Sequence, residues 1–295
     1  WHCRCEVAAD RVRAHPLRAP DWNDHGQPLS NAFTGPALLW SLSTLWALSQ
    51  TIHCCLYQFS PTFRGLTPAQ QPKVVKYIVQ VTWGSATLIL YCVIMLYVHN
   101  ILSSECSSAQ DTVTACFTAW VWPVTHAGTL FVAVYIWELI HEGAPMHNSL
   151  AVHHMSIVVL FQIAVGYYGT REWITPAALG AIIDTAFPQL VAAGLEQPTF
   201  IALLMHRFGA SPAARVRAFQ ASWVSFGFTK ALALIATVFV IVIHWSTQPQ
   251  EFSVAFLVML FVLVPTQIHS TLVQRFLSKK MSTKQSQSVA DTCNA

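Results

Sequence analysis

Charged side chains are scarce in this sequence: Asp, Glu, Lys and Arg make up 10% of its 295 residues, where a soluble domain carries roughly a quarter. That scarcity excludes an ordinary water-soluble globular domain. The net charge of +3 comes with no basic face or arm, since the Lys and Arg stand at the ends of apolar runs, so nucleic acid has no surface to bind. Among the eight cysteines there is no CxxC pair and no zinc-finger spacing, which leaves a structural metal without a ligand set. The last apolar run, Phe252 to Phe276, holds no Lys, and with it goes the Schiff base of a retinal-bearing seven-helix receptor. No internal repeat is present. The first 35 residues contain nothing that reads as a cleavable signal peptide.

What the chain has instead is apolar length. Hydrophobic residues make up 54% of it and its mean hydropathy is +0.46, in runs long enough for a hydrocarbon core that takes about 20 helical residues to cross. The expected architecture is all-α, a polytopic bundle of about seven transmembrane helices. The spans are Pro36 to Tyr57, Tyr77 to Val98, about Ala115 to Ile140, Asn148 to Gly169, a fifth starting near Thr175, Ala221 to Trp245, and Phe252 to Phe276. Pro188 and Pro198 fall in the fifth, whose continuation through Thr199 to Met205 reads as a bent helix. Residues 1–35 read as an irregular tail with four arginines and four acids, residues 36–277 as the bundle, and residues 278–295 as a polar, disordered tail.

Loop charge orients the bundle, because cytoplasmic loops are enriched in Lys and Arg. Assigning loops alternately puts Arg64, Lys73, Lys76, Arg207, Arg215, Arg217, Arg275, Lys279, Lys280 and Lys284 on one side, against Arg171 alone in the short loops of the other. The N-terminus is then lumenal and the C-terminus cytoplasmic. Cys106 and Cys116 bracket a lumenal loop, where an oxidising compartment would let them bridge. Cys54, Cys55 and Cys92 lie within spans and read as small apolar fillers.

Ionisable side chains inside spans are costly enough to be functional suspects. His153 and His154 lie a turn or so inside the fourth span. An imidazole can take a proton from a hydroxyl or amine, or accept an acyl group, at neutral pH; the plain alternative is a hydrogen-bonded structural pair. Such an imidazole needs an orienting acid. Asp184, in mid-span, and Glu196, at the start of EQPTF, are both available, and either could be merely packed or protonated. Glu138, three residues after Tyr135 and across a short turn from the histidines, either closes the polar cluster or caps the membrane edge. Lys230 can snorkel to the cytoplasm or pair with Asp184. His126, His244 and His269 stand alone and read as structural. A metal centre from His141, His147, His153 and His154 is disfavoured, because their H-x5-H-x5-HH spacing does not put ligands on one helical face.

The order of these features resembles the TLC-domain family of membrane proteins, which includes the ceramide synthases, over about residues 55–280. The features are SPTFRGL in the first cytoplasmic loop, Tyr135 with Glu138, the His153–His154 pair, and an acid followed by Pro or Phe, for which DTAFP at Asp184 and EQPTF at Glu196 both qualify. The resemblance implies an endoplasmic reticulum protein that handles a long-chain lipid between its helices. Its enzymatic form is acyl transfer from acyl-CoA, the only cofactor-like partner implied, to a lipid amine or hydroxyl, with His153, His154 and Asp184 catalytic and Tyr135, Glu138, Glu196 and Lys230 around the substrate. Its non-catalytic form is a lipid sensor, a cargo receptor or a regulator of membrane lipid composition. The chain departs from ceramide synthases in two places. APMHNSLAV lacks the Arg-Lys-Asp-Phe signature before the histidines, and Gly180 and Ala181 stand where a further His-Asp pair falls.

Overall fold

A computed structural model describes the backbone of residues 29–104, 112–141, 148–170 and 176–294, and side chains over 35–94, 96, 126–141, 148, 150–163, 178 and 180–283. Its elements are α1 (Leu29–Phe59), α2 (Pro61–Arg64), α3 (Gln71–Ser104), α4 (Thr112–His141), α5 (Asn148–Thr170), α6 (Pro176–Gly194), α7 (Gln197–Arg207), α8 (Pro212–Ile243) and α9 (Gln250–Asn294). No strand occurs among the described residues.

Local chemistry starts and stops these helices. Ser60 and Ser211 accept hydrogen bonds from the backbone N–H of Phe63 and Ala214, and Pro61 and Pro212 follow them at first-turn positions where a missing N–H costs nothing. Gly209, at φ +71°, supplies the left-handed residue just past α7. Inside the helices Thr and Ser hydroxyls turn back onto carbonyls one turn earlier, as Thr87 does to Trp83 O at 2.8 Å and Thr185 to Ala181 O at 2.8 Å, so they enter an apolar setting already satisfied.

The surface is inverted relative to a soluble protein. Thr185, Thr237, Ser222 and Ser253 are fully buried, whereas Trp40, Phe228 and Phe261 are 65, 68 and 81% exposed. Along α8 the buried residues Val216, Phe219, Ser222, Phe226, Lys230, Ala233, Thr237 and Ile241 form one inward stripe, with Val224, Phe228, Leu232, Ile235 and Phe239 turned outward. An apolar exterior this continuous needs a covering. Three described stretches, Gln71–Ile94, Pro212–Ile243 and Gln250–Thr283, are long and apolar enough to cross a membrane, and the pattern is that of an integral membrane protein.

The helices close a ring. α4 packs on α5, α5 on α9, α9 on α8, α8 on α6 and α7, these two on α3, and α3 back on α4, while α1 packs against α3, α4 and α5. One core cluster joins Leu160, Ile182, Ile241, Phe252 and Phe256 from α5, α6, α8 and α9. A second joins Leu45, Phe63, Val75, Val79, Val134 and Trp137 from α1 to α4. Trp83 ties the second together by donating its indole N–H to Leu130 O at 2.9 Å.

The expected spans fall on helices, the sixth overrunning α8 by His244 and Trp245, and there are three larger differences. The first helix begins at Leu29, seven residues before Pro36, because nothing in SNAFTG stops it and Pro36 is tolerated inside. The expected bend in the fifth span is a break: α6 ends at Gly194 and α7 starts at Gln197, since Pro198 lacks the N–H to continue a helix but suits the first turn of a new one. The C-terminal segment expected to be disordered is helical to Asn294, its Ser, Lys and Gln residues extending α9 with no Pro or Gly to end it.

Helix contact at Gly194 is close enough to test. A Cβ there would lie 2.9 Å from Leu88 Cβ and 2.7 Å from its Cδ1, whereas one at Gly35 meets nothing within 4 Å. Gly194→Ala should therefore cost about 1–3 kcal/mol by forcing α6 from α3, and Gly35→Ala should be neutral or mildly stabilising. Unfolding midpoints in detergent that are equal for the two variants would contradict this packing.

Candidate functional site

His153 and His154 point about 100° apart on α5, and the ring of helices gives them different neighbours. His154 faces α4, where its Nε2 lies 3.2 Å from Glu138 Oε2. The other carboxylate oxygen, Oε1, is 3.6 Å from Lys76 Nζ on α3. Tyr135, one turn before Glu138, sets its ring edge-on to His154 at 5.0 Å and to His153 at 6.4 Å. Lys76, Tyr135, Glu138 and His154 are all less than a tenth exposed. The carboxylate thus takes an ammonium on one oxygen and an imidazole N–H on the other, which offsets the loss of its hydration.

His153 faces the interior of the ring. It lines a cleft of about 80 Å³ together with residues of α4, α5, α6, α8 and α9. The walls are apolar, with Phe131, Phe161, Leu190, Phe256 and Leu263 among them, and the polar side chains are His153, Gln189, Lys230 and Gln267. Thr266 defines which nitrogen of His153 is available. Its hydroxyl donates to Leu263 O at 2.7 Å, so toward His153 Nδ1, 3.4 Å away, its oxygen can only accept. This contact assigns the neutral ring's hydrogen to Nδ1 and its lone pair to Nε2.

Lys230 forms an ion pair with Glu196 and lies 5.4 Å from the Phe226 ring centroid. Glu196 sits in the break before α7, at the N-cap position, yet its side chain does not cap the helix. The break frees that carboxylate to reach α8, close to the positive end of α7. Gln189 donates to Thr237 Oγ1 at 3.1 Å, which turns its amide oxygen into the free acceptor. The one charged side chain among the cleft's lining residues is therefore Lys230, neutralised by Glu196, whose side chain is 16% exposed.

The structure brings together six of the seven residues singled out from the sequence, in two groups. Tyr135, Glu138 and His154 form one with Lys76; His153 and Lys230 line the cleft, and Glu196 joins them through its ion pair with Lys230. Asp184 belongs to neither. It is half exposed and its Oδ2 lies 3.5 Å from His244 Nε2 at the end of α8. The cause is rotational: Ala186, Gln189, Leu190 and Ala193 line the cleft, and at 100° per residue their face is centred about half a turn from Asp184. The acid beside the histidine pair is Glu138, the residue that could close the polar cluster, in place of Asp184; the acid beside Lys230, for which the sequence leaves snorkelling or Asp184 open, is Glu196. His244 is accordingly paired, and His141 stacks on Trp137 at 4.7 Å. His147 and the Cys106–Cys116 bridge lie outside the described residues. Cys54 and Cys55 are exposed on α1 rather than filling the interior. No group of three or more metal-ligating side chains occurs among the described residues.

Lys76, Thr266, Gln189 and Gln267 were not anticipated. Lys76 had read as a loop charge one residue before a span; α3 begins five residues earlier, at Gln71, and buries it. A lysine inside the apolar run VVKYIV was the available signal. Comparisons with family models, curated proteins and solved structures give no match to this chain.

Removing one partner of a buried pair leaves the other uncompensated. Glu138→Ala should lower stability by about 3–5 kcal/mol, and Lys76→Met combined with Glu138→Gln should recover most of it, read as denaturation midpoints in detergent. A single variant as stable as the parent would show that Lys76 finds water instead.

Proposed function

We propose that this chain is a lipid-handling protein of the TLC type in the endoplasmic reticulum membrane, crossing it seven times through α1, α3, α4, α5, the α6–α7 pair, α8 and α9, with its N-terminus lumenal. Its cleft takes part of a lipid acyl chain, with the polar end of the lipid at His153. The observation that carries this reading is a cleft with apolar walls that is lined by the imidazole of His153, whose Nδ1 lies 3.4 Å from a Thr266 hydroxyl already donating to Leu263 O; we assign its hydrogen to Nδ1 and its lone pair to Nε2 on that ground. Apolar walls with a few converging polar groups are the usual form of a small-molecule site.

The reaction these residues suit is acyl transfer from acyl-CoA to a lipid hydroxyl or amine. His153 Nε2 would take the proton as the nucleophile attacks the thioester carbonyl. The C–S bond breaks, an ester or amide forms, and the proton passes to the departing CoA thiolate. Glu138, Lys76 and His154 act as positioning residues, holding the α4–α5 contact behind His153. Asp184 has no part in it.

A second reading, a lipid sensor or cargo receptor without turnover, draws on one feature. The imidazole that has an acid partner, His154, is not the imidazole that lines the cleft, so no acid–base dyad faces the lipid.

Two measurements on the purified protein decide between them. Mass spectrometry should find a lipid co-purifying with the parent chain and reduced with a Leu190→Trp variant that fills the cleft. With labelled acyl-CoA, His153→Ala should lose about 100-fold or more in transfer with its unfolding midpoint unchanged. Bound lipid without transfer in the parent selects the sensor reading; transfer equal in parent and His153→Ala contradicts the enzymatic one; no bound lipid contradicts both.

A further inference from the structure

The cleft contains enough charge chemistry to say what kind of lipid head it accepts. At its polar wall the one charged side chain among the lining residues is Lys230, 5% exposed, whose ion-pair partner Glu196 is outside the lining, with a side chain 16% exposed. The nearby Lys76–Glu138 pair is likewise matched, with His154 as a further donor to the same carboxylate. The two buried lysines among the described residues thus each have an anion. The remaining groups at the wall are uncharged: the Nε2 lone pair of His153, the amide oxygen of Gln189 left over from its bond to Thr237, and the amide of Gln267, itself 7% exposed.

A charged head entering this site would leave its hydration and find no unmatched partner. A phosphate or carboxylate would have to take Lys230 from Glu196, stranding a largely buried carboxylate; an ammonium would meet no carboxylate among the lining residues and would face Lys230, a like charge, unless it drew Glu196 away and stranded that buried cation. Either exchange leaves one ion uncompensated in a low-dielectric interior, the arrangement that costs most. A hydroxyl, ester or amide head meets no such obstacle. Its O–H or N–H can donate to His153 Nε2 or to the Gln189 oxygen, and its own oxygen can accept from the Gln267 amide.

We infer that the cleft selects a lipid with an uncharged hydrogen-bonding head, such as a long-chain alcohol or a mono- or diacylglycerol, over phosphate, carboxylate and ammonium lipids, and that the Lys230–Glu196 pair enforces this choice by leaving no net charge at the site. The inference rests on the reading of the cleft as a lipid site and narrows it to a head-group class. Within acyl transfer it favours a hydroxyl as acceptor.

The test uses the full chain in nanodiscs with diazirine-bearing probes of one chain length: a fatty alcohol, a monoacylglycerol, a fatty acid, a lysophosphatidic acid and a quaternary ammonium amphiphile. Crosslinked peptides are then mapped to the cleft. The alcohol and monoacylglycerol should label cleft peptides about tenfold or more above the three charged probes, as the cost of stranding one buried ion requires. Glu196→Gln, which leaves Lys230 unmatched, should shift labelling toward the fatty acid, and Lys230→Met, which leaves Glu196 unmatched, toward the ammonium probe. Equal or stronger labelling by a charged probe in the parent chain overturns the inference while leaving the lipid site standing. Absence of cleft labelling by every probe overturns both. The parent-chain comparison decides the matter even if a variant fails to fold.

Discussion

Buried charge governs this protein. A carboxylate inside a bundle that exposes Phe, Leu and Ile to its surroundings has no water to fall back on, and Glu138 is held there because two donors from two other helices reach its two oxygens. Lys76 comes from α3 and His154 from α5, so satisfying one acid fixes the mutual rotation of three helices. The Lys230–Glu196 pair does the same for α8 and the junction between α6 and α7. In a medium where apolar contacts discriminate poorly between one helix rotation and another, polar contacts of this kind carry specificity. Such pairs are weak evidence for stability, because their desolvation nearly cancels their attraction. They are better understood as orientation devices.

Once those rotations are set, the cleft follows. With His154 turned to Glu138, its neighbour His153 must face the ring's interior, on the same stripe of α5 as Ile157, Leu160 and Phe161. The small residues Ala186 and Ala193 on α6 leave room opposite, and Gly128 on α4 lets the Phe161 ring approach so closely that a Cβ there would collide with it. The space is therefore built from side-chain size on three helices and bounded by one imidazole, two amides and the ammonium of Lys230, which Glu196 neutralises. The break between α6 and α7 belongs to the same design, since a continuous helix would leave Glu196 without the local freedom by which it reaches Lys230.

Much of this was legible in the residues, and the illegible part has an identifiable cause. Apolar length marked every helix that forms the ring, and two ionisable residues inside such a run marked the site. Ends were harder: α9 continues through Lys279, Lys280 and Lys284 because polar residues of good helix propensity extend a helix as readily as apolar ones. The partner acid was harder still. Asp184 stood at the spacing that a family pattern suggests, but spacing along the chain says nothing about which way a helix is turned. The wheel of α6, with Ala186, Gln189 and Ala193 on one side and Asp184 on the other, contained that information. Lys76 reads as a loop charge because Gln71, Pro72 and Lys73 open α3 ahead of its apolar run, so that nothing apolar marks where the helix begins.

The most direct measurement of the central claim is an experimental density map of the full chain in lipid nanodiscs at side-chain resolution. The account predicts Glu138 bridging Lys76 and His154, His153 on the wall of the cleft between α4, α5, α6, α8 and α9, and elongated lipid density within that cleft. A map with Glu138 directed to solvent, or with both imidazoles on the bilayer-facing side of α5, would contradict it.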